Sequence, residues 1–382
     1  MKLVRTLHFL LFFAVLGSLQ AQDLHYTLFN MSPLSLNPAN TGAFLGTVRV
    51  GGIYRGQWWA VGDRGYNTPG GYVDAPIIRG FRDQDWVGVG AYILQDRSGS
   101  IRFTTRSNGL SGAYHLGLDK KGESVLTLGV QIGSITRSLR SSDIFLGSSW
   151  DAANGTFAEY GSTMEAQDPA IGSGGTGSSG GGGNMNASDN DISNSYLDIR
   201  AGLLFKQKID DFDNFEAGVA FGHLNVPNYT FGAAGGGGTG PFPNPTPGNN
   251  STESSDRQPM LITTHARYEW ALNNKWSAAP TVMWQTMRGQ HEVNLQAWAG
   301  YDLKPEDQIK VHMGLGYRVG DAAKILAGLD YKDLRVAAAF DLNVSAYRTA
   351  TDFQGAFEIA AFYIFKIYKE PEIKPAILCP KF

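Results

Sequence analysis

From about residue 45 onward the chain alternates between apolar and polar positions, and the period is two. In Leu334 to Val344 one set is Leu334, Val336, Ala338, Phe340, Leu342 and Val344, and the interleaved set is Arg335, Ala337, Ala339, Asp341 and Asn343. Val293, Leu295, Ala297, Ala299 and Tyr301 alternate in the same way with Asn294, Gln296, Trp298, Gly300 and Asp302. A two-residue period puts each set on one face of a β-strand, whereas a helix would bring apolar residues together every third or fourth position. Fourteen such segments follow one another, at 48–58, 70–77, 85–95, 101–118, 124–137, 195–208, 213–223, 258–271, 276–287, 290–303, 308–318, 323–332, 334–344 and 354–368. Most reach the roughly 9 to 11 residues that a tilted strand needs to cross a bilayer.

The connections sort by length. Every second join is short, from the stretch Arg79 to Gln84 through Asp119 to Glu123 and Leu272 to Lys275, down to Asp333 alone. All the long joins fall in the other set, including 138–194 and 224–257. A transmembrane antiparallel β-barrel of the outer-membrane kind predicts this asymmetry, with short periplasmic turns, longer external loops and, for an even strand number, both strand-bearing ends in the periplasm. A water-soluble sandwich has no reason to sort its loops by parity. The two longest joins hold the Gly/Ser tract Gly172 to Gly183, and Gly235 to Gly238 followed by Pro241, Pro243, Pro245 and Pro247. Such compositions bury too little apolar surface to fold alone, so they read as unstructured insertions into one barrel.

Met1 to Ala21 reads as a secretory signal, with Lys2 and Arg5 before the apolar run Phe9 to Leu16. No later run approaches the ~20 apolar residues of a membrane helix; the longest, Ala356 to Phe365, contains Glu358. An exported chain of this kind enters a membrane only as strands. With 48 glycines in 382 residues, 18% charged residues and a net charge of −3, it has no basic footprint for nucleic acid. Cys379 is the one cysteine, which excludes an internal disulfide framework and a cysteine-rich metal site.

Candidate chemistry is sparse. The glycine tract lacks the Gly-Lys-Ser/Thr and the following helix of a phosphate loop. Asp189, Asn190 and Asp191 lack the fixed glycine and the bidentate glutamate of a calcium loop. His265 and His312 lie on strand segments, and pairing either with Ser111 or Ser277 as a hydrolase has no motif behind it. No enzyme activity, cofactor or metal is therefore expected. Trp58, Trp59, Trp86, Trp270, Trp276, Trp284, Tyr363, Phe365 and Tyr368 gather towards strand ends, as the aromatic girdles of a membrane barrel do. Arg267, Glu269, Arg318, Asp330, Arg335, Asp341 and Glu358 lie on the polar faces and would project into the lumen, where ion pairs fill and rigidify the interior.

Several short stretches carry a family resemblance. Gln22-Asp23, Asn37-Pro38-Ala39-Asn40-Thr41-Gly42 and Tyr54-Arg55-Gly56-Gln57-Trp58 open the mature chain; Gly355-Ala356-Phe357-Glu358-Ile359 and Cys379-Pro380-Lys381-Phe382 close it. In this order they resemble the PorP/SprF outer-membrane proteins of Bacteroidetes, which work with the type IX secretion and gliding machinery. The resemblance implies a non-enzymatic barrel in outer-membrane lipid that assists export or surface anchoring of large sorting-domain proteins such as gliding adhesins. Its partners would be secretion components and cargo, with no nucleic acid. The layout expected is a signal at 1–21, a periplasmic or plug segment at 22–47, the barrel at 48–368 and a periplasmic tail at 369–382. Asn37 and Pro38 before the first strand, and Ile377, Cys379, Pro380 and Phe382 in the apolar tail, are the expected partner-docking residues. The rival expectation is a transporter or channel for a hydrophobic small molecule, since barrels of this size enclose ligand cavities.

Overall fold

The structure, a computed structural model, describes residues 25–59, 65–79, 84–98, 103–140, 150–151, 156–157, 191–210, 213–227, 257–349 and 351–367. The strands are β1 (Val48–Gln57), β2 (Tyr66–Arg79), β3 (Trp86–Ser98), β4 (Phe103–Gly117), β5 (Ser124–Arg140), β6 (Trp150–Asp151), β7 (Thr156–Phe157) and β8 (Asp191–Lys208). They continue as β9 (Asn214–Gly222), β10 (Leu261–Ala271), β11 (Trp276–Met287), β12 (Gln290–Lys304), β13 (Ile309–Arg318), β14 (Ala322–Tyr331), β15 (Leu334–Asn343) and β16 (Gln354–Phe365). All but β6 and β7 form one closed barrel in which sequence neighbours pair, and β1 joins β16 from Val48↔Phe365 to Gln57↔Ala356. The fourteen-stranded antiparallel barrel expected from the alternation is the fold, and no helix among the described residues is long and apolar enough to cross a membrane.

The two faces of the wall separate as the period requires. On β13 the outward residues Met313 and Leu315 are 70% and 67% exposed, while Arg318 on the inner face is 2% exposed. On β5, Leu126, Leu128, Val130 and Ile132 point out and are exposed, while Thr127 and Gln131 between them are buried. An exposed apolar belt on a polar, buried lining is the reverse of a soluble barrel and is the pattern lipid demands.

Strand lengths depart from the sequence reading in one sector. β2 runs 14 residues where eight were expected, because Pro69 and Pro76 disguise it; its ladder to β3 is interrupted at Thr68 and Pro69 and shifts between Pro76 and Ile78. β5 and β8 run 17 and 18 residues, against 10 for β13, β14 and β15. The small β6–β7 pair lies inside the segment expected to be wholly unstructured. Two residues per strand are too few for alternation to reveal, although Trp, Thr and Phe favour strands.

Candidate functional site

Residues 25–46 form no strand. They make three short helical turns, Phe29–Met31, Pro33–Leu36 and Pro38–Asn40, and lie inside the barrel. Ser, Pro and Asn at turn starts explain the breaks, and the apolar residues between them supply the packing: Tyr26, Leu28, Met31 and Leu34 are buried against Ile53, Tyr72, Tyr92, Leu94 and Leu326 of the wall. The segment runs lengthwise. His25 sits 3.6 Å from Glu292, two residues from the β11–β12 hairpin at the long-loop end. Farther along, Trp86 Nε1 donates to the Gly42 carbonyl at 3.0 Å and His115 contacts the Thr41 carbonyl at 2.8 Å, both next to the short turns.

The long-loop half holds a cage of charge closed around Thr27. The Thr27 N–H donates to Glu358 Oε1 at 2.6 Å and the Leu28 N–H to Glu358 Oε2 at 2.7 Å. Thr27 Oγ1 donates to Asp341 at 2.8 Å and accepts from Arg55 and Arg318, each at 3.1 Å. Arg55 pairs with Glu358 and, at 3.3 Å, with Asp341; Arg318 pairs with Asp341 at 3.1 Å and Asp321 at 2.8 Å. Arg55, Arg318 and Lys324 are buried with Glu292, Asp341 and Glu358, and Asp321 at the edge adds a fourth carboxylate. Buried charge survives only when paired and hydrogen-bonded, and here one threonine of the segment supplies part of that pairing. Burial pushes the neighbouring His25 down to about 4, against the pull of Glu292, so its ring is neutral at neutral pH.

Below the cage the backbone of the segment touches the wall. Asn37 is fully buried; its Nδ2 donates to the carbonyls of Leu203 at 3.0 Å and Val219 at 3.4 Å and contacts His265 Nε2 at 3.3 Å, while its Oδ1 accepts from Ala39. This fit needs glycine in the wall. A Cβ at Gly202 would fall 2.0 Å from Asn37 Oδ1, and one at Gly129 would fall 2.2 Å from the Ala39 nitrogen. At the short-turn end Arg49 clamps Asp74 through two bonds of 2.9 and 2.7 Å, and Asp74 in turn accepts the Gly42 N–H at 2.7 Å.

A second set of charges lines the lower lumen, on β8 to β10 and, beneath the cage, on β13 to β15. Lys206–Glu216 (3.3 Å), Arg267–Glu269 (3.0 Å), His312–Asp330 (2.9 Å) and Arg335–Asp330 (2.5 Å) are cross-strand or same-face pairs. Two cavities adjoin them. One of about 390 Å³ opens at the short-turn end between Phe44, Leu45, Trp86, Lys206, Phe215 and Glu269. The other, about 50 Å³, lies between Leu28, Met31, Trp298, His312 and Arg335.

The seven charged residues expected to face the lumen all do so. Of the docking residues, Asn37 and Pro38 are buried inside the barrel, and Ile377, Cys379, Pro380 and Phe382 lie outside the described residues. Trp86 corrects the expected girdle: it faces inward and stacks on His115 at 4.4 Å. Trp276, Tyr363 and Phe365 point outward at strand ends as expected. Sequence reasoning missed Thr27, Glu292 and Lys324, although the last two are charges on polar faces and the same alternation marks them. Ser111 bonds Thr41 and His265 contacts Asn37, so both belong to the seating of the segment. Among the described residues no group of three acidic, histidine or cysteine side chains is placed to hold a metal ion.

Solved barrels are similar in outline. The toluene transporter TbuX of Ralstonia pickettii is 12% identical, with 87% of this chain and 93% of that chain covered and a TM-score of 0.47. The CymD monoaromatic hydrocarbon channel is 11% identical over 91% and 96%, with a TM-score of 0.47. A FadL homologue of Pseudomonas aeruginosa is 14% identical over 92% and 96%, with a TM-score of 0.40. Likenesses this distant carry no argument about what this chain binds. No curated protein sequence matches it. The model of the type IX secretion system membrane proteins PorP/SprF, in contrast, matches residues 18–363, nearly the whole barrel together with the segment inside it. The chain belongs to the PorP/SprF family of type IX secretion system membrane proteins.

Proposed function

We propose that the protein is a non-enzymatic outer-membrane component of a Bacteroidetes-like type IX secretion system that docks secretion machinery and assists export or surface anchoring of large sorting-domain proteins, gliding adhesins among them. The observation that carries this reading is the segment 25–46, bonded to the wall from Glu358 on one side to Leu203 on the other. A barrel crossed in this way suits a rigid platform for protein partners better than a conduit. The cavity beside the segment, between Leu28, Met31 and Trp298, is about 50 Å³, against about 390 Å³ for the one at the short-turn end. In this reading residues 1–21 are a cleaved signal, 22–47 plug the lumen, 48–368 are the barrel with loops 138–194 and 224–257 outside the cell, and 369–382 form a periplasmic tail. Asn37 and Pro38 support docking by fixing the path of the plug, while Ile377, Cys379, Pro380 and Phe382 touch the partner.

Affinity purification from native outer membrane, with mass spectrometry of what accompanies the barrel, tests the proposal. Secretion components and a sorting-domain protein should co-purify with the full chain. Deleting residues 371–382 should leave a heat-modifiable barrel in the membrane and abolish recovery of the periplasmic partners. Recovery of no such protein with the full chain would overturn the secretion reading. Unchanged recovery after the deletion would overturn docking by the tail. The second reading, a channel for a hydrophobic small molecule, draws on the cavity of about 390 Å³ at the short-turn end, which is within the size of small-ligand pockets. It requires uptake or conductance by the intact chain in liposomes.

A further inference from the structure

The wall of the barrel is uneven in height, and the tall sector carries chemistry that neither the lumen nor the apolar belt uses. With a rise of about 3.4 Å per residue and a tilt near 40°, a strand of 10 residues spans about 26 Å across the membrane and one of 17 spans about 44 Å. The short strands β13–β15 match the apolar belt, so the sector β3, β4, β5 and β8 stands above it. Its outer face records the crossing. On β3 the outward residues are Val87, Val89, Ala91 and Ile93, then Gln95 and Arg97; on β4, from the short-turn end, they are Leu116, Tyr114 and Leu110, then Asn108 and Arg106. On β5 they pass from Ile132 to Ser134, Thr136 and Ser138, and on β8 from Leu197 to Ser195 and Ser193. The change from apolar to polar falls within one outward position of the row Ile93, Asn108, Ser134 and Leu197 on all four strands, towards the long-loop end.

Just above this boundary two exposed arginines stand side by side. Gln95 registers with Arg106 and Arg97 with Thr104, which makes Arg97 and Arg106 diagonal neighbours about 7 Å apart on adjacent strands. Arg106 Nε donates to Gln95 Oε1 at 3.0 Å, which orients the guanidinium and leaves its other nitrogens directed outward. Asp96, between Gln95 and Arg97, faces inward and accepts from Thr68 at 2.6 Å and Ser98 at 2.8 Å. Among the described residues no carboxylate pairs with either arginine. Two guanidinium groups with a spare fork, beside the amide of Asn108 and a row of hydroxyls, at the height where lipid headgroups end the hydrocarbon, match a phosphate-bearing sugar headgroup. Acyl chains of the same molecule would lie along Ile93 and Leu110, which are 62% and 70% exposed directly beneath.

We propose that Arg97 and Arg106 form a binding site for the phosphorylated headgroup of an outer-leaflet glycolipid, seated on the tall sector of the wall. The test is native mass spectrometry of the purified full chain in detergent, titrated with lipid A, with dephosphorylated lipid A and phosphatidylethanolamine as comparisons. Wild type should hold one lipid A through mild activation, R97K/R106K should hold it less well, and R97Q/R106Q should lose about tenfold in retained lipid. All three proteins should remain heat-modifiable, since neither side chain touches the interior. Equal retention of lipid A by wild type and R97Q/R106Q would overturn the proposal. So would equal retention of the dephosphorylated lipid, or displacement by inorganic phosphate at the concentration of lipid A.

Discussion

Thr27 occupies a position that a catalogue of charged residues would pass over. It carries no charge, yet its backbone and hydroxyl touch Glu358, Asp341, Arg55 and Arg318 together. Removing one member of such a buried set costs far more than the set contributes, because the partner left behind stays desolvated. Glu358→Ala is therefore expected to destabilise the barrel by about 3–5 kcal/mol, since the N–H groups of Thr27 and Leu28 lose their acceptor and Arg55 keeps only the longer pairing with Asp341. Glu269→Ala, at the rim of the open cavity and 30% exposed, should cost under about 1 kcal/mol. Thermal unfolding in detergent, followed as loss of heat-modifiable migration, separates the two. Similar losses for both variants would mean that the cage is no tighter than the rim. Arg318, Asp341 and Glu358 were legible in the sequence as charges on polar faces. Thr27 was not, because nothing in its local sequence marks what it will touch 331 residues later.

At the scale of elements, regular alternation carried the reading and irregularity limited it. Strands β11, β12 and β15, where the period is clean, match their expected spans within a residue at either end. β2 was shortened because prolines and paired glycines hide its period. The sequence leaves residues 22–47 as a periplasmic or plug segment and does not show the path of 25–46, since three short turns have no repeat and their positions are set by gaps in a wall formed later in the chain. Two of those gaps are Gly202 and Gly129, and filling one should unseat the segment. Gly202→Val places its Cβ 2.0 Å from Asn37 Oδ1 within a continuous β-ladder. In planar bilayers the wild-type barrel should conduct little, a variant lacking residues 25–46 should open stepwise channels, and Gly202→Val should fall between. A silent deletion variant that still migrates as a closed barrel would contradict the assignment of this segment as the obstruction.

At the scale of the whole molecule, sidedness follows from loop parity, and every functional proposal above depends on it. In a Cys379→Ser background, Gly289→Cys at the β11–β12 hairpin and Asn273→Cys in the short β10–β11 turn report opposite ends. A membrane-impermeant maleimide added to intact cells should label position 289 and leave position 273 unlabelled until the outer membrane is permeabilised. The reverse pattern would invert the molecule, and with it the sides assigned to the long loops, the tail and the glycolipid site.

The seam where β1 meets β16 bears on the order of assembly. Arg55 of the first strand and Glu358 of the last face each other across that seam, and the N–H groups of Thr27 and Leu28 bind the same carboxylate. The contact that completes the cylinder is thus also the contact that fastens what the cylinder encloses. Residues 25–46 are therefore expected to lie in the trough of the growing sheet as β16 arrives, so that one carboxylate makes both contacts in a single step. Contacts of such sequence separation form slowly. A chain missing that segment should close sooner and around nothing.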